Sequence, residues 1–308
     1  MLWLYISLGV IGFILLVFFV ALLFLHYTTF YSPIGNQNDD HVLTPATRDL
    51  GIDKEVYQMI DDLLAVPCEH AYVKSFDGLK LHARIYKNPF SNKVAIMCHG
   101  YRGTAIRDFS GGAKLMIDSG FNVVLIDERA HGQSKGHCIT FGNREKKDIL
   151  SWVEYSKKEF GEDKELILVG ISMGAATVLF ASEFIPGSIK VICDCPYTSE
   201  KEIICETIKK MKLSVGFFYP LVNLSSILFS HASLNKDDAF KSIKNTKHKY
   251  LIIHGDKDTI VPYQYTEKLA LQYKDKIQYE LFPNTEHGIS FVTDKPRYKK
   301  IVTDFINQ

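Results

Sequence analysis

Ser172 sits in the pentapeptide Gly170-Ile171-Ser172-Met173-Gly174, between the apolar run ELILV and a second apolar run, Met173–Phe184. A serine hydroxyl attacks a carbonyl carbon only when a base takes its proton and dipoles meet the charge developing on the carbonyl oxygen. A G-x-S-x-G at a strand-to-helix turn supplies part of this. Small residues allow a sharp turn that pushes the hydroxyl out of the sheet, and the helix N-terminus puts positive potential behind it. The pentapeptide alone would arise by chance in about one chain in ten of this length. Its place between a strand and a helix gives it weight against the plain alternative, a glycine-rich turn without chemistry.

The base and the acid must come from other loops. His287 lies in Asn284-Thr285-Glu286-His287-Gly288, after the last strand-like run; among eleven histidines only its position singles it out. Asp256 and Asp258 follow the run YLIIH and compete for the acid's role. Asp194 is a third candidate, although Cys195-Pro196 behind it reads as a structural turn. The loop His99-Gly100-Tyr101-Arg102-Gly103 follows the run KVAIMC and can bring the N–H of Tyr101 beside that of Met173, two donors of the kind that hold an oxyanion. Asp127, in DERAHGQS, reads as an organiser of a polar turn with no catalytic role.

These loops need a scaffold that gathers them at one edge. Strand-like runs at Lys93–Cys98, Asn122–Ile126, Glu165–Val169, Ile189–Cys195, Tyr250–His254 and Lys276–Phe282 alternate with helical patterns at Ser110–Ser119, Lys146–Phe160, Met173–Phe184, Tyr263–Tyr273 and about Ser290–Ile306. That alternation predicts an α/β fold, a mostly parallel sheet with helices on both faces. Ala71–Phe76 and Lys80–Tyr86 flank Asp77-Gly78 and predict an antiparallel hairpin at its edge. A lead-in helix is expected over Ile52–Leu64, ended by Pro67.

Residues 196–242 interrupt the alternation. Leu213–Ser230 carries no charge in 18 positions but holds Pro220 and Asn223, so it reads as a cap. Two roles stand side by side: helices packed on the domain, or an apolar lid over an acyl-binding groove that touches the bilayer. The expected organisation is an N-terminal transmembrane anchor over 1–31, a linker and lead-in helix over 32–70, and a catalytic domain over 71–308.

The anchor rests on Leu2–Leu25, an apolar run with no Asp, Glu, Lys or Arg before Asp39. As a helix it spans about 36 Å, against about 30 Å of bilayer hydrocarbon. Trp3, Tyr5, Tyr27 and Tyr31 flank it like an aromatic belt. No basic residue precedes the run and no small-residue cleavage site follows, which favours a retained single-pass anchor over a signal peptide. Arg48 and Lys54 on the C-terminal side place the catalytic domain in the cytoplasm.

Lys and Arg total 36 against 35 Asp and Glu, so no basic excess points to nucleic acid. Cys68, Cys98, Cys138, Cys193, Cys195 and Cys205 show no zinc spacing and read as reduced thiols. Cys193 and Cys195, two apart, are expected on one side of a strand.

From about residue 71 onward the chain resembles the α/β-hydrolases, in particular the branch of monoacylglycerol-lipase-like, lysophospholipase-like and prolyl-aminopeptidase-like enzymes. H-G-Y-R-G, D-E-R-A-H-G-Q-S, G-I-S-M-G, H-G-D-K-D-T-I-V-P and E-H-G carry the resemblance, in the chain order Ser, Asp, His. It implies Asp258 as the triad acid with Ser172 and His287, and the amides of Tyr101 and Met173 as the oxyanion hole. Ala130 stands where many relatives carry glycine, with little effect expected. The resemblance implies a serine hydrolase needing no metal or organic cofactor. An acyl ester with an apolar acyl group, lipid-derived esters included, suits the uncharged cap and the anchor. Peptide amides, acyl transfer to an acceptor other than water, and a catalytically silent binding module are the rival readings.

Overall fold

The computed structural model describes residues 1–33, 40–43 and 51–308. The expected linker lies partly outside them. Eight strands form one sheet: β1 (Glu69–Lys74), β2 (Lys80–Tyr86), β3 (Lys93–Cys98), β4 (Asn122–Asp127), β5 (Glu165–Ile171), β6 (Lys190–Asp194), β7 (Lys249–Gly255) and β8 (Ile277–Phe282). Their spatial order is β1-β2-β4-β3-β5-β6-β7-β8. β2 pairs antiparallel with β1 and with β4; every later pairing is parallel.

The central strands are buried on both faces. Val94, Ile96 and Cys98 of β3 join one apolar cluster while Ala95 and Met97 join the other. That is why the sequence shows unbroken apolar runs here instead of alternation. One face is covered by α2 (Asp53–Leu64), α3 (Ala105–Asp118) and α11 (Lys295–Asn307). α4 (Glu145–Phe160) and α5 (Met173–Ser182) cover the other. The chain passes from β3 to β4 on one side and then to β5 on the other, so the order reverses at β3. In such sheets the crevice opens at the carboxyl ends of the strands at the reversal. Those ends carry His99-Gly100-Tyr101 and Ser172.

Several boundaries differ from expectation. α3 begins at Ala105, where Thr104 accepts a hydrogen bond from the Arg107 N–H; Phe109, at φ −116° and ψ 17°, kinks the helix just before the expected start at Ser110. The last helix is two: α10 (Ser290–Thr293), then α11, whose start Asp294 caps with Pro296 in its first turn. β6 ends at Asp194, so Cys195 does not share a strand face with Cys193. Cys195 has φ +48° and its N–H bonds to Ile253 O across the sheet end. Ala130 has φ +62°, a left-handed conformation that costs an alanine about 1–2 kcal/mol. A glycine at this position would avoid that strain.

Among the described residues, α1 (Leu2–Thr29) is the one helix long and apolar enough to cross a membrane. Its last turn does not lead into a free tether. Phe30 is fully buried among core residues, Ile139 N–H bonds to Phe30 O, and Ser32 bonds through its N–H to His137 O and through its hydroxyl to Ala130 O. The expected break at residue 31 falls inside this packed segment.

The cap comprises α6 (Glu200–Lys210), α7 (Val215–Ser225) and a π-helical turn over Ser226–Ser230. Short α8 (Ala239–Lys244) returns the chain to the sheet, and α9 (Gln264–Gln272) joins β7 to β8. The cap's two stems meet where Ala239 N–H bonds to Thr198 O. Beneath them Glu200 accepts from Asn143 and from the Asp237 N–H, and Lys146 pairs with Asp237.

Candidate active site

The Ser172 hydroxyl lies 2.7 Å from His287 Nε2, and His287 Nδ1 lies 2.6 Å from Asp258 Oδ2. Of the three candidate acids, only Asp258 meets the histidine. Asp194 accepts from the Ser290 hydroxyl, and burial raises its carboxyl to about 6. Asp256 faces the Thr285 N–H at 3.4 Å.

Ser172 owes its exposure to backbone geometry. It has φ +54° and ψ −116°, unusual for a side chain-bearing residue, between β5 and α5. Its N–H is tied to Asp194 O. Gly174 allows the turn to sit this deep: a Cβ there would lie 2.0 Å from Cys98 O, the end of β3. Such strain persists only where the surroundings enforce it, and it gathers at functional sites.

Asp258 is buried, which opposes ionisation, but hydrogen bonds outweigh the cost. His254 Nε2 donates to the same oxygen as His287 does, and the N–H groups of Ile260 and Val261 donate to the other. Together with the charges of His287 and His254, these hold the carboxyl well below the usual range. His254 was not anticipated as a participant. It ends β7 four residues before Asp258, and its other nitrogen meets the Thr266 hydroxyl at 2.8 Å. The histidine loop is laced to the acid loop: Glu286 accepts from the N–H and hydroxyl of Thr259, and Lys257 N–H bonds to Thr285 O.

The loop after β3 lies against Ser172, since a Cβ on Gly100 would come 3.4 Å from Ser172 Cβ. Gly100 N–H donates to Asp108, Arg102 N–H to His131 Nε2, and Gly103 N–H to Gly100 O. That leaves the Tyr101 amide, with the first amides of α5 starting at Met173, without an acceptor among the described residues. His131 can accept because burial, and then the neighbouring His99, lower it to about 3 and keep it neutral. This is the work of the DERAHGQS loop: it shapes the loop after β3. Asp127 itself binds His82 and the Gln133 N–H.

Cys195, Asp258 and His287 place a sulfur, a carboxylate oxygen and a ring nitrogen within 4.8 Å of one another, the one such group among the described residues. Two imidazoles already occupy the carboxylate oxygen that faces His287, so the set suits a proton relay better than an ion.

A family model described as serine aminopeptidase, S33, matches residues 91–244, and one described as prolyl oligopeptidase family matches 230–308. The uncharacterized protein YqkD of Bacillus subtilis (strain 168) is 24% identical over 94% of this chain and 92% of its own. The lysophosphatidylserine lipase ABHD12 of Danio rerio is 29% identical over 73% of this chain and 61% of its own. Among solved structures, a Pyrococcus furiosus esterase superimposes with a TM-score of 0.65 at 23% identity, covering 80% of this chain and 92% of the esterase. With the first model spanning half its length, the chain belongs to the α/β-hydrolase family, which supports a hydrolase.

Proposed function

We propose that the protein is a membrane-anchored serine hydrolase that cleaves a carboxylic ester with an apolar acyl group. One observation carries the reading: the unbroken chain Ser172 Oγ to His287 Nε2 at 2.7 Å and His287 Nδ1 to Asp258 Oδ2 at 2.6 Å. His287 takes the seryl proton as Ser172 attacks the acyl carbonyl. Asp258 holds the ring so that Nε2 is the free base, and stabilises the imidazolium that forms. The amides of Tyr101 and Met173 receive the oxyanion. His287 then protonates the leaving alcohol, and a water activated by the same ring hydrolyses the acyl-enzyme.

The substrate class rests on the surroundings. Phe217, Ile227 and Leu228 are exposed on the cap beside a helix of membrane-spanning length. A relative named as a lysophosphatidylserine lipase supports a lipid-like ester. The catalytic domain is assigned to the cytoplasmic side by the basic residues that follow α1. The descriptions of the matched models favour a second reading, peptide hydrolysis. That would call for a carboxylate to bind the substrate amine. The cap acids do not offer themselves: Glu202 accepts from the N–H and hydroxyl of Thr198, and Glu206 from Lys209 and Tyr265.

The test is hydrolysis of p-nitrophenyl esters of increasing acyl length by the full chain in detergent, beside Ser172→Ala. Loss of about 10⁴-fold or more in kcat for the variant is expected. Equal rates for the two proteins would exclude Ser172 as nucleophile. Cleavage of aminoacyl amides without any ester hydrolysis would favour the peptidase reading.

A further inference from the structure

The last carbonyls of a helix have no partners within it and form its negative end. For α1, the groups that meet them come from the loop beside the nucleophile. The Tyr101 hydroxyl donates to Thr29 O at 2.8 Å. The Arg102 guanidinium donates to Thr28 O at 3.0 Å and to Tyr31 O at 3.3 Å. The Tyr101 ring stacks on Phe141 with centroids 5.1 Å apart, and the fully buried Phe30 meets the edge of the same Phe141 at 5.9 Å. The residue assigned an oxyanion amide and its neighbour therefore cap the end of the apolar helix.

We infer that the C-terminal end of α1 is a working part of the active site, holding the Tyr101 amide in place through the Tyr101 hydroxyl, Arg102 and the Phe30–Phe141 contact. This rests on the proposed serine-hydrolase reading and goes beyond an anchoring role for α1. The backbone of the loop is fixed from the domain side by Asp108 and His131, and its side chains are fixed from the helix side. An oxyanion donor contributes only when it is held within hydrogen-bond reach of the place where the charge develops, so loosening one side is felt in the transition state more than in the bound substrate. Tyr101 acts on the oxyanion through its backbone; its hydroxyl, Arg102 and Phe30 are positioning groups.

The experiment uses the full chain in detergent micelles and compares wild type with Tyr101→Phe, Arg102→Met, the pair together, Arg102→Lys and Phe30→Leu. None of these removes the Tyr101 amide. The paired variant is expected to lose about ten- to a hundredfold in kcat, within what one oxyanion donor supplies, with KM changed less than about threefold. Affinity for a trifluoromethyl ketone analogue of the best ester, whose adduct places an oxyanion at the same point, falls by the same factor as kcat/KM. Arg102→Lys, which keeps a cation at the helix end, recovers part of the loss, and Phe30→Leu shows the same pattern in smaller measure. Melting temperatures taken alongside separate this from loss of fold. A paired variant with kcat and inhibitor affinity within twofold of wild type, while Ser172→Ala is inactive, overturns the inference and leaves the hydrolase reading standing. A loss confined to melting temperature overturns it as well. Activity retained in Ser172→Ala overturns the underlying reading, and this inference with it.

Discussion

Asp258 holds His287 from a buried position and remains ionised because four donors face its two oxygens. Asp258→Asn keeps the shape but presents an amide N–H or a weaker acceptor to Nδ1, favouring the wrong tautomer. A drop of about 10⁴-fold in kcat with little change in ester KM is expected from steady-state kinetics. Glu128 is the opposite case. It is buried, its two carboxylate oxygens have no hydrogen-bond partner among the described residues, and nearby Glu145 and Asp148 add repulsion. Burial first, and those charges second, push its carboxyl well above the usual range. The unfolded chain releases this proton near pH 4.3 while the folded chain retains it, so the group's contribution to stability falls as pH rises above that value. Glu128→Met should raise the melting temperature, and by more at pH 8 than at pH 5. Calorimetry at the two values decides; a larger gain at the lower pH would contradict the assignment.

At the scale of elements, the turn between β5 and α5 depends on close contact with the end of β3. Gly174→Ala would drive a methyl into Cys98 O, an atom of backbone that cannot move aside. A loss of about 1–3 kcal/mol or more is expected by urea titration, with activity reduced in whatever remains folded. The end of α1 also packs on the rest of the chain. The Ser225 hydroxyl bonds to Leu22 O, and Phe19 meets Phe229 edge-on with centroids 5.9 Å apart, so cap and helix are packed together. A chain shortened to begin at Ser32 loses the Phe30 ring from the core, a deletion worth about 3–5 kcal/mol. One that begins at Leu22 keeps it. The second should unfold at clearly higher temperature than the first, and equal melting would show that Phe30 is dispensable.

For the whole molecule, packing at the end of α1 leaves the rest of the helix outside the domain, with nearly every side chain from Leu2 to Val20 exposed. A helix of 28 residues, about 42 Å, with this much exposed apolar surface has the length the proposed bilayer anchor requires. The full chain should float with liposomes and resist alkaline extraction, while the chain beginning at Leu22 should not; co-sedimentation settles it. What the sequence by itself determined is whatever depends on local pattern. Apolar runs of strand length, glycines beside Ser172 and the order Ser, Asp, His marked the α/β fold and singled out Ser172 and His287, because strand burial and turn sterics act over a few residues. The local pattern left Asp194, Asp256 and Asp258 open, since all three follow strands; the family resemblance implied Asp258, and only the tertiary structure shows that it is the one His287 reaches. It also revealed that His254 bonds to Asp258, that Cys195 leaves its strand, and that Phe30, Tyr101 and Arg102 join the apolar helix to the loop beside Ser172. Those contacts bring together residues about 70 positions or more apart in most cases, and their geometry is set by the packing of the sheet and its helices, which no local pattern records.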